Sequence, residues 1–445
     1  MSAGARIWLC AAAYGLVYFG LGADRYLTYH SGADLGLFTQ SIASAFGGFH
    51  NTLEGANHFT YHFSPILFLC TPLLLAVHSP LALVAVQALA GALTAPALFF
   101  IARRRTDDGV AFAIATIPLL YPPLAGVTFT DFHEDGFAPA ATLWLVWAVD
   151  GRKWVWAIVF VLLTLGIKED QGLILAVCGV FGAVYFARRR EWPGIVFCAS
   201  ATVLALATFA SYFAFVRPLA GAVSGWSPQH FYAWQRGNTP GSAPWYFIGR
   251  PAYVVEALLP LLFLSVASPL FLTALPGFAE VLGSHDTLPF TMGQHYAGVW
   301  IGWVLAAFAL AVANIARRSP GRAHTLVRIC LVLCVLNLAL ASPTHWGHFL
   351  RLRSSHDAAL DRMLARLPPD AEVGTHDELY AHLGFDPNAS IGLLRRPAYL
   401  VFDRSYSSPT WVAKIRPLFE RELGRGAYRL EAQDDGVDLY ARTTR

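Results

Sequence analysis

"HFSPILFLCTPLLLAVHSP", residues 62–80, is the stretch on which the topology turns. It is apolar enough to suggest a membrane crossing. Yet it is short, and His78-Ser79-Pro80 breaks it from the apolar run that follows. If it crossed, every later loop would change sides. The basic residues of the flanking loops settle the reading, because cytoplasmic loops concentrate Lys and Arg.

The chain has 445 residues, 56% hydrophobic and 14% charged, with a mean hydropathy of +0.47. Soluble domains carry about a quarter charged residues, so the composition reads as an α-helical polytopic membrane protein. Apolar segments of spanning character fall at 7–22, 80–102, 109–127, 136–150, 154–167, 172–187, 194–216, 252–268, 269–282, 296–316 and 325–342. That is about eleven transmembrane helices, several of them short. The first is read as an uncleaved span. The six cysteines lie in apolar runs without CxxC spacing, which argues against a zinc site or a disulfide framework. No basic domain with interleaved aromatics is present, so nucleic acid is not an expected partner.

With Arg6 inside, alternating these spans puts Arg103-Arg104-Arg105, Arg152-Lys153, Arg188-Arg189-Arg190 and Arg317-Arg318 with Arg322 all in the cytoplasm. This agreement holds only if 62–80 does not cross. Residues 65–78 therefore read as a juxtamembrane helix lying at the outer interface, inside a first outer loop of 23–79. The outer segments are then 23–79, 128–135, 168–171, 217–251, 283–295 and 343–445. Of the fifteen histidines, only His324 falls outside them.

"TFTDFHEDGFAPA" (128–140) packs Asp131, His133, Glu134 and Asp135 between two apolar runs. A carboxylate at the bilayer centre costs about 2.5–3.5 kcal/mol on insertion scales, so these groups belong at a rim. Other outer turns repeat the pattern: Asp34 after the first span, Lys168-Glu169-Asp170, and His285, Asp286 and His295. Ionisable groups beside membrane helices are functional candidates with one another as partners. Plainer readings stand beside this. Asp34 can act as a helix cap, Lys168 can snorkel to the interface, and Glu169 and Asp170 can serve a helix dipole. The aromatics of "SGWSPQHFYAWQRGNTPGSAPWYF" (224–247) can be an interface belt.

Composition changes after residue 343. "DAALDRMLARL" has helical periodicity, "AEVGTH" and "AYLVFDR" read as strands, "TWVAKIRPLFERELG" as an amphipathic helix, and "YRLEAQDDGVDLYAR" as a hairpin turning at Asp-Gly. The chain thus divides into a transmembrane domain, 1–342, and a small C-terminal α/β extracytoplasmic domain, 343–445.

"ADLGLFTQ", "HFSPILFLCTPL", "DFHEDGFAPA", "KED" and "QHY", in that order, resemble a bacterial family of polytopic membrane proteins that is grouped with the GT-C glycosyltransferases. The resemblance runs over roughly 7–440. It implies a GT-C-like fold in a bacterial plasma membrane, with a cytoplasmic N-terminus and an extracytoplasmic tail. It further implies a polyprenyl-phosphate-linked sugar as donor, and a sugar or lipid as acceptor. Asp34 matches the superfamily's first-loop acid, a general base or metal ligand. Glu134, Asp135 and His133 match its second acidic cluster and join Asp34 as expected catalytic groups. Lys168 resembles the lysine that meets the lipid phosphate. Glu169, Asp170, His295, Tyr296, His62 and Gln40, in the same motifs, are expected on the substrate. A divalent metal, Mg or Mn, is expected on Asp34 and Asp135. The family often carries a second first-loop Asp at the position of Thr39, so a two-carboxylate metal site here would need Glu134 or Asp135 beside Asp34.

In such a transfer a carboxylate or His accepts the acceptor's proton, and a cation such as Lys168, Arg217, Arg250 or a bound metal meets the leaving phosphate. Two rival readings use the same residues. A transporter would use the charges as a substrate path, although they map to one rim and not to mid-membrane. A non-catalytic scaffold or sensor of the same fold would bind a partner through its tail.

Overall fold

The computed structural model describes residues 1–221, 243–341, 350–393 and 396–443. Most of the aromatic stretch 224–247 and the expected domain boundary near 343 lie outside the described residues. The chain divides into two compact units, and the division follows packing and not chain order. One unit comprises 1–19, 59–67 and 85–347. The other comprises 20–58, 68–84 and 348–445.

The first unit is helical. Six described helices are long and apolar enough to cross a membrane: Ala3–Leu27, Leu81–Ala102, Asp170–Arg188, Trp192–Leu219, His295–Arg318 and Pro320–Leu340. A seventh forms if Asp108–Leu120 and Pro122–Phe129, bent by 49° at their junction, count as one. The bend follows from Pro118 inside the first helix and Pro122-Pro123 opening the second. The eleven expected segments all carry helical turns, but the remainder are short. Trp154–Leu165 has 12 residues, about 18 Å at 1.5 Å per residue, less than the hydrocarbon core. Residues 252–282 are broken further: Leu262 and Phe263 adopt left-handed backbone, and short 3-10 turns follow.

Burial sorts these helices. The apolar window of His295–Arg318 is 83% buried, against 17% for Ala3–Leu27 and for Trp192–Leu219. His295–Arg318 is therefore the hub, and the other two turn most of their surface outward. Close approach to the hub needs small residues. A Cβ on Gly298 would meet the Asp135 carbonyl oxygen at 2.3 Å.

The second unit contains a five-stranded sheet. Its strands are β1 (Val373–Thr375), β2 (Ala389–Ile391), β3 (Tyr399–Asp403), β4 (Tyr428–Asp434) and β5 (Val437–Arg442). The order is β2-β1-β3-β5-β4. β1 runs parallel to β2 and β3, while β5 is antiparallel to β3 and β4. The β4–β5 hairpin turns at Asp435 (φ 45°) and Gly436 (φ 81°), the paired positive φ that Asp-Gly favours. Helix Ser355–Leu364 starts in a capping box of Ser354 and Asp357. Strand β2 has too little periodicity in three residues to be read from sequence.

First-loop residues 23–58 and 68–79 belong to this unit. Helix Ala33–Ala43 carries Asp34 in its first turn and Gln40 near its end. The span expected to be a juxtamembrane helix is a 3-10 turn, Pro65–Leu69, followed by helix Thr71–Val77. His78 ends that helix in left-handed backbone.

Candidate functional site

The acidic stretch 128–135 is held by a residue the sequence reading passed over. Gln87 lies within the apolar helix Leu81–Ala92 and is buried. Its Nε2 donates to the carbonyls of Thr130 (2.8 Å) and Val127 (3.1 Å), and its Oε1 accepts from the His133 N–H (2.8 Å). A polar side chain in an apolar helix needs such partners, so an isolated Gln there is the available signal. The pinned loop ends in a short 3-10 turn, Glu134–Phe137, which buries Glu134 and Asp135 completely.

Lys168 reaches these acids. Its Nζ lies 3.2 Å from Asp135 Oδ2 and 3.7 Å from Asp170 Oδ2. Burial by itself would depress the ammonium, but the carboxylates of Asp135, Asp170, Glu134 and Glu169 together hold it well above its ordinary value. Burial pushes Glu134 well up, with Asp135 adding to the effect against Lys168. Asp135 is raised to about 6, burial outweighing its bond to Lys168.

Glu169 behaves differently. Its Oε1 lies 2.9 Å from His62 Nδ1, and its Oε2 accepts the Phe63 N–H at 2.8 Å. Against the opposing effect of burial, His62 and these bonds bring its carboxyl down to about 2. Both oxygens are thus engaged in fastening segment 59–67 to the turn before helix Asp170–Arg188. The Ile66 N–H to Gly166 carbonyl bond, 2.8 Å, does the same.

His133 and His295 stack, with ring centroids 3.5 Å apart and 7° between planes. Together with Asp135 they offer three ligand atoms that all lie within 4.8 Å of one another. The donor chemistry fits a divalent cation. Glu134 Oε1 and Asp135 Oδ1 are buried without a hydrogen-bond partner. So is Glu134 Oε2, although His133 Nδ1 lies 3.1 Å from it. Buried carboxylate oxygens left in this way are ready ligands. The set differs from the expected Asp34 and Asp135. It is two imidazoles and a carboxylate, which suits Mn²⁺ or Zn²⁺ better than Mg²⁺.

A cavity of about 470 Å³ opens beside these groups. His62, His133, Lys168, Glu169, Asp170, Glu280, His295 and Tyr296 line one part of it. Leu173, Ile174, Val177, Phe209 and Phe213, from two apolar helices, line another. Leu173 and Val177 are 46% and 40% exposed, so the apolar wall continues to the unit's outer surface.

Of the expected site residues, His62, His133, Lys168, Glu169, Asp170, His295 and Tyr296 line this cavity, and Glu134 and Asp135 adjoin it through Lys168. Asp34 and Gln40 belong to the other unit. There Gln40 is buried, with Oε1 accepting from Thr52 N (2.8 Å) and Tyr380 OH (2.8 Å) and Nε2 donating to the Asp386 and Ala389 carbonyls. Arg250 donates to the carbonyls of Leu282 (2.7 Å) and Ser284 (2.8 Å), which fixes the end of helix Leu275–Gly283. Arg217 Nε donates to the Thr60 carbonyl at 3.0 Å. The sequence reading missed Glu280, a lone acid inside an apolar helix, which was itself the signal.

The chain belongs to the family described as "Predicted membrane protein (DUF2079)", whose model matches residues 26–439. A comparison with curated protein sequences finds no match. Among solved structures, ArnT from Cupriavidus metallidurans bound to undecaprenyl phosphate aligns with a TM-score of 0.58 at 13% identity, covering 97% of both chains. Its apo form aligns with a TM-score of 0.58 at 14% identity and the same coverage. At this identity the likeness is one of fold. The chain shares its fold with these ArnT structures.

Proposed function

We propose that the chain is a GT-C-type glycosyltransferase that takes its sugar from a polyprenyl-phosphate carrier at the outer face of a bacterial plasma membrane. The observation that carries this reading is the two-part character of the cavity. Lys168 stands in the polar part, and lipid-compatible side chains of two apolar helices form the other. A polyprenyl phosphate has the same division. Its chain would lie along Leu173, Val177, Phe209 and Phe213, and its phosphate would meet Lys168. The outer-face orientation, with a cytoplasmic N-terminus and an extracytoplasmic tail, rests on the basic clusters of the alternate loops.

In the proposed transfer the acceptor, a sugar or lipid hydroxyl, attacks the anomeric carbon as the bond to the carrier phosphate breaks. Lys168 holds the phosphate oxygens and offsets the charge they gain. His62, oriented by Glu169 at Nδ1, is placed as a cavity-lining proton acceptor. Asp34 keeps the acceptor-side role that the resemblance implies. His133, Asp135 and His295 would hold a divalent cation, with Glu134 adjoining. When bound, that cation supplies further positive charge for the anionic leaving group.

The test is binding of undecaprenyl phosphate to the purified chain in nanodiscs, wild type beside Lys168→Ala. The wild type is expected to bind and Lys168→Ala to bind at least about tenfold more weakly, the scale of one charge-assisted hydrogen bond. Equal affinities would remove Lys168 from the phosphate, and absence of binding by the wild type would end the donor-lipid reading.

A further inference from the structure

Gln87 sits in the apolar helix Leu81–Ala92 and is 3% exposed. A buried amide without partners costs folding free energy, so its partners say what it is for. They are backbone groups of one stretch. Beside the Thr130 and Val127 carbonyls already described, Nε2 lies 3.3 Å from the carbonyl of Asp131 and 3.4 Å from that of Thr128. Val127 and Thr128 stand in the last turn of helix Pro122–Phe129, where carbonyls lack partners within a helix. Oε1 serves the opposite end. It accepts the N–H of His133, the residue that opens the turn Glu134–Phe137. One amide thus closes a helix, starts the next turn, and fixes the linker 130–133 between them.

The turn is bounded on two sides. A Cβ on Gly136 would stand 3.2 Å from Gln87 Oε1, and one on Gly298 would stand 2.3 Å from the Asp135 carbonyl oxygen. The turn carrying Asp135 is therefore seated between the Gln87 amide and the start of helix Gly298–Arg318, which follows His295 directly. That seating brings the His133 ring onto His295 and sets both beside Asp135. Metal ligands must be held to within about 0.5 Å of their working positions. Resting on the reading of His133, Asp135 and His295 as a divalent-cation site, we infer that Gln87 is a positioning residue for that site. It acts through the backbone of the linker 130–133, which it holds so that the His133 imidazole lies over His295. Residues that orient ligands in this way change metal affinity by about tenfold to a hundredfold.

The experiment is Mn²⁺ titration of the full chain in nanodiscs, wild type beside Gln87→Met, which keeps the length of the side chain and removes both polar ends. Pulsed electron paramagnetic resonance of the bound Mn²⁺ counts the imidazole nitrogens coupled to it. The wild type is expected to show two. Gln87→Met is expected to bind about tenfold to a hundredfold more weakly and to keep one, from His295. Tyr14→Phe is the control for stability alone. It removes another polar bond to the same stretch, Tyr14 OH to Thr128 Oγ1 at 2.9 Å, and should lower the unfolding temperature while leaving Mn²⁺ affinity unchanged. Should Gln87→Met fail to fold, Gln87→Asn, whose amide is one methylene short of its partners, carries the same expectations. A variant at Gln87 that binds as the wild type does, or that retains both nitrogen couplings, overturns the positioning role and leaves the cation site standing. An equal loss of affinity in Tyr14→Phe overturns it too, because loosening the stretch anywhere would then suffice. A wild type that takes up no Mn²⁺ overturns the cation site itself.

Discussion

Lys168 Nζ lies 3.2 Å from Asp135 Oδ2, and the two side chains are 10% and 1% exposed. They come from turns over thirty residues apart in sequence. The ammonium is the local counter-charge for a carboxylate that is almost wholly shielded from bulk solvent. Removing one partner of such a pair costs about 3–5 kcal/mol, whereas removing both costs far less.

Lys168→Met is accordingly expected to destabilise the chain by about 3 kcal/mol. Asp135→Asn added to it should recover part of that loss, because Asp170 still lacks its cation. Thermal unfolding in detergent, run as a double-mutant cycle, checks this. Strictly additive losses would show that the pair carries no coupling.

Metal binding should depend on the two stacked imidazoles. After dialysis against chelator, the wild type is expected to take up Mn²⁺ or Zn²⁺ more tightly than Mg²⁺, as a nitrogen-rich donor set does. His133→Ala and His295→Ala should each lower affinity more than about tenfold, since even supporting residues of metal sites reach that size. Isothermal titration of the purified protein gives the comparison. Asp34→Asn, run alongside, decides whether the first-loop acid joins the set.

The sheet-bearing unit should weaken in acid. Burial lowers His376 to about 3 and His382 to about 4 from an ordinary 6.5. His382 is stacked on Tyr26 and Tyr29, with centroids 4.1 and 3.9 Å away. Both imidazoles stay neutral in the fold but take a proton when unfolded. Their contribution is fully present above about pH 6.5 and is lost as pH falls toward 4, at about 1.4 kcal/mol per unit of separation for each. His356, raised through its contact with Asp403 despite the opposing effect of burial, acts in the opposite sense and is lost as pH rises. Hydrogen exchange of peptides 373–391 in the full chain, corrected for intrinsic rates, should show protection falling between pH 6.5 and 4. Protection that holds flat would contradict the burial argument.

Gln40 should matter to that same unit and not to the cavity chemistry directly. Its Oε1 accepts from the Thr52 N–H and the Tyr380 hydroxyl, and its removal takes the acceptor from the buried Thr52 N–H. Gln40→Ala is expected to cost about 2 kcal/mol or more, read as faster exchange across 373–391. Tyr380→Phe, which removes one donor, should cost less. The reverse ranking would point to a role for the Tyr380 hydroxyl beyond this bond.

Some features were open to reading from the chain because they depend on nearest neighbours. The apolar runs, the basic clusters between them, the helix at 355–364 and the Asp435-Gly436 hairpin are local, set by hydropathy, periodicity and turn chemistry. The number of full spans was harder, since Pro122-Pro123 and the left-handed Leu262-Phe263 shorten helices that hydropathy averages into longer ones.

Sequence by itself determined that this is a membrane chain with polar groups gathered at a few turns. Only the tertiary structure decided which of those groups meet. His133 stacks on His295, Lys168 pairs with Asp135, and Gln87 and Glu280 enter the site from within apolar helices. Each of these contacts works over about 3–4 Å. At that range the partners are chosen by how distant helices pack, and neighbouring residues in the chain carry no record of it.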